Sequence, residues 1–215
     1  MTSFQKYRLD YLFIFCIIIF GLLNVFFNIG EMPPAAYPWS DESDVASDAV
    51  ATVRYGFQFH YPAQLAGGPI AVWLEAGWMA LFGPGLAGIR ILNGLVNLVS
   101  ALLLYLLIRQ LPFSSRPDWP FSAISFSQWL AVTSTLLLTV STWILGLARI
   151  ATPNWSLVSP MTTLAFYYFW RALNTNRSRY FAATGVMLGA LFYGYIPGYC
   201  VPLVPAIFLG IMWFN

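Results

Sequence analysis

The sequence predicts an all-α polytopic membrane bundle: about six transmembrane helices, with one or two interfacial helices in the first outer loop. Two observations carry this. Of 215 residues, 59% are hydrophobic and only 8% are charged, against roughly 25% charged in an ordinary soluble domain, so a water-facing surface cannot be covered. Six apolar stretches, at 11–29, 86–108, 125–147, 154–170, 180–196 and 198–214, reach or approach the ~20 residues a helix needs to cross a ~30 Å hydrocarbon core. The same composition excludes a disordered chain. A net charge of +2 leaves no basic surface for nucleic acid, so none is expected as a partner.

The stretch 11–29 follows Lys6 and Arg8 and ends in Asn28-Ile29-Gly30-Glu31. It is longer than a signal-peptide core and has no Ala-x-Ala cleavage site, so it reads as a retained first span. Residues 30–85 then form the one long non-spanning segment. A loop of that length is usually functional or structured. Ser40 can cap a helix over 40–56, with Asp41 and Glu42 in its first turn. Val45, Ala46, Ala49, Val50, Val53 and Phe57 make one helical stripe, with Asp41, Asp44 and Asp48 on another face. Such a helix is expected to lie in the membrane interface. A second interfacial or re-entrant helix is expected over 69–82, interrupted by Glu75 and ended by Gly83-Pro84-Gly85.

The later spans are shorter. Gly185 and Gly189 fall on one face of 180–196, spacing that suits close helix packing. Pro202 and Pro205 predict a kink or a re-entrant course in 198–214. Cys16 and Cys200 sit inside apolar runs and read as neither a disulfide nor a zinc site.

Orientation follows from the basic residues. With the N-terminus inside, Lys6, Arg8, Arg109, Arg116, Arg171, Arg177 and Arg179 lie at inner ends. Arg54, Arg90 and Arg149 lie outside, as do Glu31, Asp41, Glu42, Asp44, Asp48 and Glu75. The expected location is a plasma or inner membrane, with a cytoplasmic N-terminus and the charged loop on the outer face.

The scarce charges mark candidate chemistry. Asp41 and Glu42 follow a proline-rich approach, where a carboxylate can act as general base or hold a divalent cation. Solvated N-terminal capping is the plainer alternative. Arg90 and Arg149 stand at the membrane boundary, where charge usually has a partner or a task. A guanidinium there suits phosphate, and the alternatives are snorkelling or pairing with Glu75 or Asp48. Arg54, on the amphipathic helix, and His60, the only histidine, complete the set. One histidine cannot make a metal site without carboxylates.

The ordered segments resemble the GT-C glycosyltransferases, nearest the protein O-mannosyltransferases and the lipid A aminoarabinose transferase. The resemblance rests on Trp39-Ser40-Asp41-Glu42 after one span and on Gly67-Gly68-Pro69-Ile70-Ala71-Val72-Trp73-Leu74. It continues through Leu81-Phe82-Gly83 with Gly88-Ile89-Arg90, Ala148-Arg149 with Pro153-Asn154, and Arg171 through Gly189 with Tyr193-Gly194-Tyr195. It implies one GT-C-like transmembrane domain over 1–215. It also implies sugar transfer with inversion from a polyprenyl-phosphate donor to a protein, lipid or glycan acceptor. Asp41 would be the base and Glu42 its support or a metal ligand. Arg90 and Arg149 would face the leaving phosphate. Asn154 stands where many relatives carry an acid, and relatives run longer, so the chain is expected to be a fragment or a minimal membrane core. The competing readings are a non-catalytic subunit that keeps the fold and a transporter or flippase piece.

Overall fold

The computed structural model describes residues 3–27, 40–57, 69–113, 124–141, 153–193 and 196–214. Every regular element among them is helical: α1 (Ser3–Phe26), α2 (Ser40–Tyr55), α3 (Pro69–Phe82), α4 (Leu86–Gln110), α5 (Phe126–Val140), α6 (Pro153–Thr175), α7 (Ser178–Leu191), a 3₁₀ turn (Ile196–Cys200) and α8 (Leu203–Phe214). Two helices are long and apolar enough to cross a membrane, over Leu9–Phe26 and Ala87–Gln110. At ~1.5 Å per residue they reach about 27 and 36 Å. Only 17% of the α1 window is buried; Tyr11, Phe15, Leu23 and Phe27 stand exposed, which is a lipid-facing pattern rather than that of a soluble core helix. The protein is thus all-α and membrane-associated, with at least two helices compatible with spanning. The other apolar helices are shorter: α3, α5 and α8 have 14, 15 and 12 residues.

Helix α4 is the hub, contacted by α1, α3, α5 and α6. Side-chain bonds fix the directions. Asn97 Nδ2 donates to Ser156 Oγ at 3.0 Å, Ser100 Oγ to Ser159 Oγ at 2.6 Å, and Trp170 Nε1 to the Gln110 carbonyl at 2.9 Å. The near-constant offset shows α6 running parallel to α4 along its length. Helix α1 runs antiparallel to α4. Its Asp10 pairs with Arg109, and its other end meets Gly94, where an added Cβ would lie 2.5 Å from Val25 Cγ1 and 3.0 Å from Phe26 Cζ.

The close approach therefore belongs to Gly94, and not to Gly185 and Gly189 as the spacing predicts: a Cβ at either of those meets nothing within 4 Å. The prolines of the last stretch also act differently. Pro202 precedes α8 and Pro205 lies in its first turn, where a missing N–H goes unused. They begin a helix after the 3₁₀ turn instead of kinking one. A proline does sit inside α6: Pro160 leaves the Ser156 carbonyl without its intrahelical donor.

Two turns set the ends of the bundle. Gly83, at φ +83°, reverses the chain between α3 and α4, in a backbone region that side chains disfavour. Asn176, at φ 50°, closes α6 in the left-handed conformation, its N–H donating to the Ala172 carbonyl at 2.7 Å.

A buried charged corner at one end of the bundle

Helices α2, α3 and the start of α4 share an apolar cluster of Val45, Ala49, Val72, Ala76, Met79 and Ile89. Ile70 N–H reaches the Tyr193 carbonyl at 3.4 Å, which puts the start of α3 beside the end of α7. The corner lies at the end of the bundle opposite Asp10 and Arg109. Arg90 and Arg109 are nineteen positions apart on one helix, or about 29 Å at the α-helical rise.

Three ionisable side chains are sunk into this corner. Glu75 is 0% exposed, Arg90 4% and Asp48 9%. Each borders the apolar cluster. Asp48 and Thr52 continue the buried face of α2 from Val45 and Ala49, Glu75 lies between Val72 and Ala76, and Arg90 follows Ile89. Thr52 Oγ1 donates to the Asp48 carbonyl at 2.8 Å. Burial of an ion carries a penalty of several kcal/mol unless it is compensated. Three in one corner make a charged centre.

The buried face of α2 differs from the predicted stripe. Val45 and Ala49 are buried as expected, but Val53 and Phe57 are exposed, while Asp48 and Thr52 are buried. The helix is turned by about 90°, counting ~100° per residue. Asp48 therefore leaves the solvent face on which the pattern places it. The neighbour decides the face: α2 packs on α3, and the cluster they share with Ile89 takes in Val45 and Ala49 rather than Val53 and Phe57, which brings Asp48 and Thr52 to the covered side.

The polar lining extends along α4. Arg90, Asn93, Asn97 and Ser100 recur at helical spacing and are all buried. Asn97 Nδ2 donates both to the Asn93 carbonyl and to Ser156. This seam between α4 and α6 is legible in hindsight as four polar residues on one face of an apolar helix.

The sequence-predicted site residues are placed as follows. Arg90 is in the corner. Arg54 is exposed in the last turn of α2, where a cation suits the helix dipole. Asp41 and Glu42 stand in the first turn of α2 by backbone, one to two turns before Asp48; their side chains lie outside the described part of the structure. Arg149 and His60 also lie outside the described residues. No group of three His, Cys, Asp or Glu able to share a metal ion occurs among the described residues. Sequence reasoning missed that Asp48 and Glu75 are buried at the same end of the bundle as Arg90, weighing the two acids only as partners for an arginine.

Elsewhere, α1 and α5 form an apolar groove of about 580 Å³, lined by Phe15, Cys16, Ile19, Phe20, Leu23, Thr133, Leu136, Leu137 and Val140. At the end away from the corner, Asp10 accepts from Tyr105 Oη at 2.6 Å, Arg109 Nε at 2.9 Å, Arg109 Nη2 at 2.8 Å and Gln128 Nε2 at 3.1 Å. Arg109 Nη1 also holds Ser127 Oγ at 2.8 Å. Gln128 is fixed in turn by the α5 capping box, Ser125 Oγ accepting its N–H and its own amide oxygen accepting from Ser125 N–H. This network ties α1, α4 and α5 into one unit.

No family model matches the chain, and no curated protein or solved structure matches it significantly.

Proposed function

We propose that the chain is a membrane glycosyltransferase of GT-C type, moving a sugar from a polyprenyl-phosphate donor to an acceptor at the outer face with inversion. The observation that carries the reading is the burial of Asp48, Glu75 and Arg90 in the corner that follows the Asp41-Glu42 turn. Charged groups held in low dielectric beside a helix entry are typical of sites where charge changes during reaction.

In this mechanism Asp41 takes the proton of the acceptor hydroxyl as its oxygen attacks the anomeric carbon. The bond from that carbon to the lipid phosphate breaks on the opposite face. The phosphate leaves with the electron pair, and Arg90 and Arg149 stabilise its charge. Glu42 supports Asp41 or ligates a divalent cation. Arg54 and His60 complete the set that binds the substrate and its phosphate. The apolar groove between α1 and α5 offers an isoprenoid chain a track within the hydrocarbon layer.

A second reading is favoured by one residue. Asn154, in place of an acid, fits a non-catalytic subunit that keeps the fold. Transfer from a radiolabelled polyprenyl-phosphate sugar, measured for wild type, Asp41→Asn and Arg90→Gln, separates the two. The transferase reading expects activity in wild type and at least a hundredfold loss in Asp41→Asn, within the range of ~10²–10⁴ that a general base contributes. Equal rates in wild type and Asp41→Asn remove Asp41 from the chemistry. No transfer by any form, with a range of donors, favours the subunit.

A further inference from the structure

The α6–α7 turn carries an arginine cluster that the catalytic reading does not use. Arg171 lies with Cζ 5.0 Å from the centroid of the Tyr180 ring, and Arg179 lies 4.9 Å from the same centroid. Arg171 Nη1 donates to Tyr167 Oη at 3.0 Å, and Arg179 Nη2 to Tyr180 Oη at 3.2 Å. Two guanidinium groups are thus gathered on one aromatic ring by contacts that neutralise neither. Arg177, between them on the turn, is exposed.

No Asp or Glu occurs anywhere after Asp118. Among the described residues the one carboxylate at this end, that of Asp10, is held by Arg109, Tyr105 and Gln128. Like charges brought together repel, and among the described residues no carboxylate offsets these two, so the cluster is suited to an anion. Two features brace the turn. The left-handed Asn176 closes α6, and Tyr168 stacks on Tyr180 across the hairpin at 6.3 Å. Trp170 bonds to the Gln110 carbonyl and so ties the turn to the end of α4, a helix long and apolar enough to cross a membrane. The end of such a span falls at headgroup level, where Tyr and Trp collect.

We propose that this turn is a docking site for the headgroup of an anionic phospholipid, with Arg171 and Arg179 gripping the phosphate and Tyr180 holding the two guanidinium groups in place. The site commits to a membrane lipid rather than to a free phosphate because it lies at the end of an apolar span, where the leaflet itself supplies the anion.

The test uses the full chain purified in an uncharged detergent. Native mass spectrometry counts bound lipid as phosphatidylglycerol or phosphatidylcholine is titrated. Phosphatidylglycerol is expected to bind with clear preference. The R171Q/R179Q variant should bind it about thirtyfold more weakly, each arginine at an anionic surface contributing a factor of about five. Tyr180→Leu keeps every charge and should still weaken binding. The K6Q/R8Q variant makes the same change in net charge at the same end of the bundle and should bind as wild type does. The proposal is overturned if phosphatidylcholine binds as tightly as phosphatidylglycerol, a comparison that needs no variant. It is overturned too if K6Q/R8Q loses as much as R171Q/R179Q, since diffuse charge then suffices. Displacement of the lipid by free glycerol phosphate at comparable concentration would assign the site to a soluble anion instead.

Discussion

Cutting the Asp10 network should cost more than any surface ion pair, and the geometry says why. Asp10 and Arg109 meet through two parallel N–H to oxygen bonds, and their side chains are only 17% and 15% exposed. Asp10→Ala leaves the guanidinium half-enclosed without its carboxylate and takes an acceptor from the buried Tyr105 and Gln128. Breaking a buried pair from one side costs about 3–5 kcal/mol, against ~1 or less for exposed pairs. We expect about 4 kcal/mol for Asp10→Ala and roughly 3 for Arg109→Met. The double variant should lose about 4 rather than 7, because removing the second partner also removes the stranded charge, a coupling of about 3. Reversible unfolding in mixed detergent micelles, followed by tryptophan fluorescence, measures all three. Additivity within ~0.5 kcal/mol, or single effects below ~1, would refute the bidentate lock.

Gly94→Ala should destabilise by about 1–3 kcal/mol through overpacking against Val25 and Phe26, whereas Gly189→Ala, which meets open space, should be neutral or stabilising by up to ~1 kcal/mol; the same unfolding assay compares them. Ser100→Ala should lose about 1 kcal/mol with the 2.6 Å bond to Ser159. In a cysteine-free background, Arg54→Cys and Thr175→Cys should react with a membrane-impermeant thiol reagent from opposite sides, since they stand at opposite ends of the bundle; labelling of both from one side would contradict the two-ended arrangement. Glu75→Gln, which keeps shape and removes charge at a fully buried position, should preserve folding as read by monodispersity and lower transfer activity. Unchanged activity would take Glu75 out of the site.

Much of the fold was legible because the bilayer imposes a coarse, one-dimensional demand. The expected helices over 40–56 and 69–82 correspond to α2 and α3, and the expected span 86–108 to α4. A breaker marks one of these boundaries: Gly83, at φ +83°, with Pro84 and Gly85 leaves the chain little choice between α3 and α4. The rotation of α2 was not legible. An apolar stripe says which side of a helix avoids water, but it cannot say whether the covering neighbour brings charges of its own. Glycine spacing failed for a similar reason. Gly185 and Gly189 satisfy the small-residue pattern yet face open space among the described residues, while the single Gly94 is where two helices touch.

The sequence by itself determined that the chain is helical and membrane-associated, since 8% charge cannot dress a soluble surface. It also determined how the few charges are sorted along the chain. Only the tertiary structure decided which of them meet. Asp10 and Arg109, ninety-nine positions apart, join at one end of the bundle because α1 and α4 run antiparallel. Asp48, Glu75 and Arg90 are buried at the other because α2, α3 and α4 converge on one apolar cluster. Helix periodicity fixes the face a residue occupies, but the partner of that face is set by packing between distant segments, and local pattern carries no record of it.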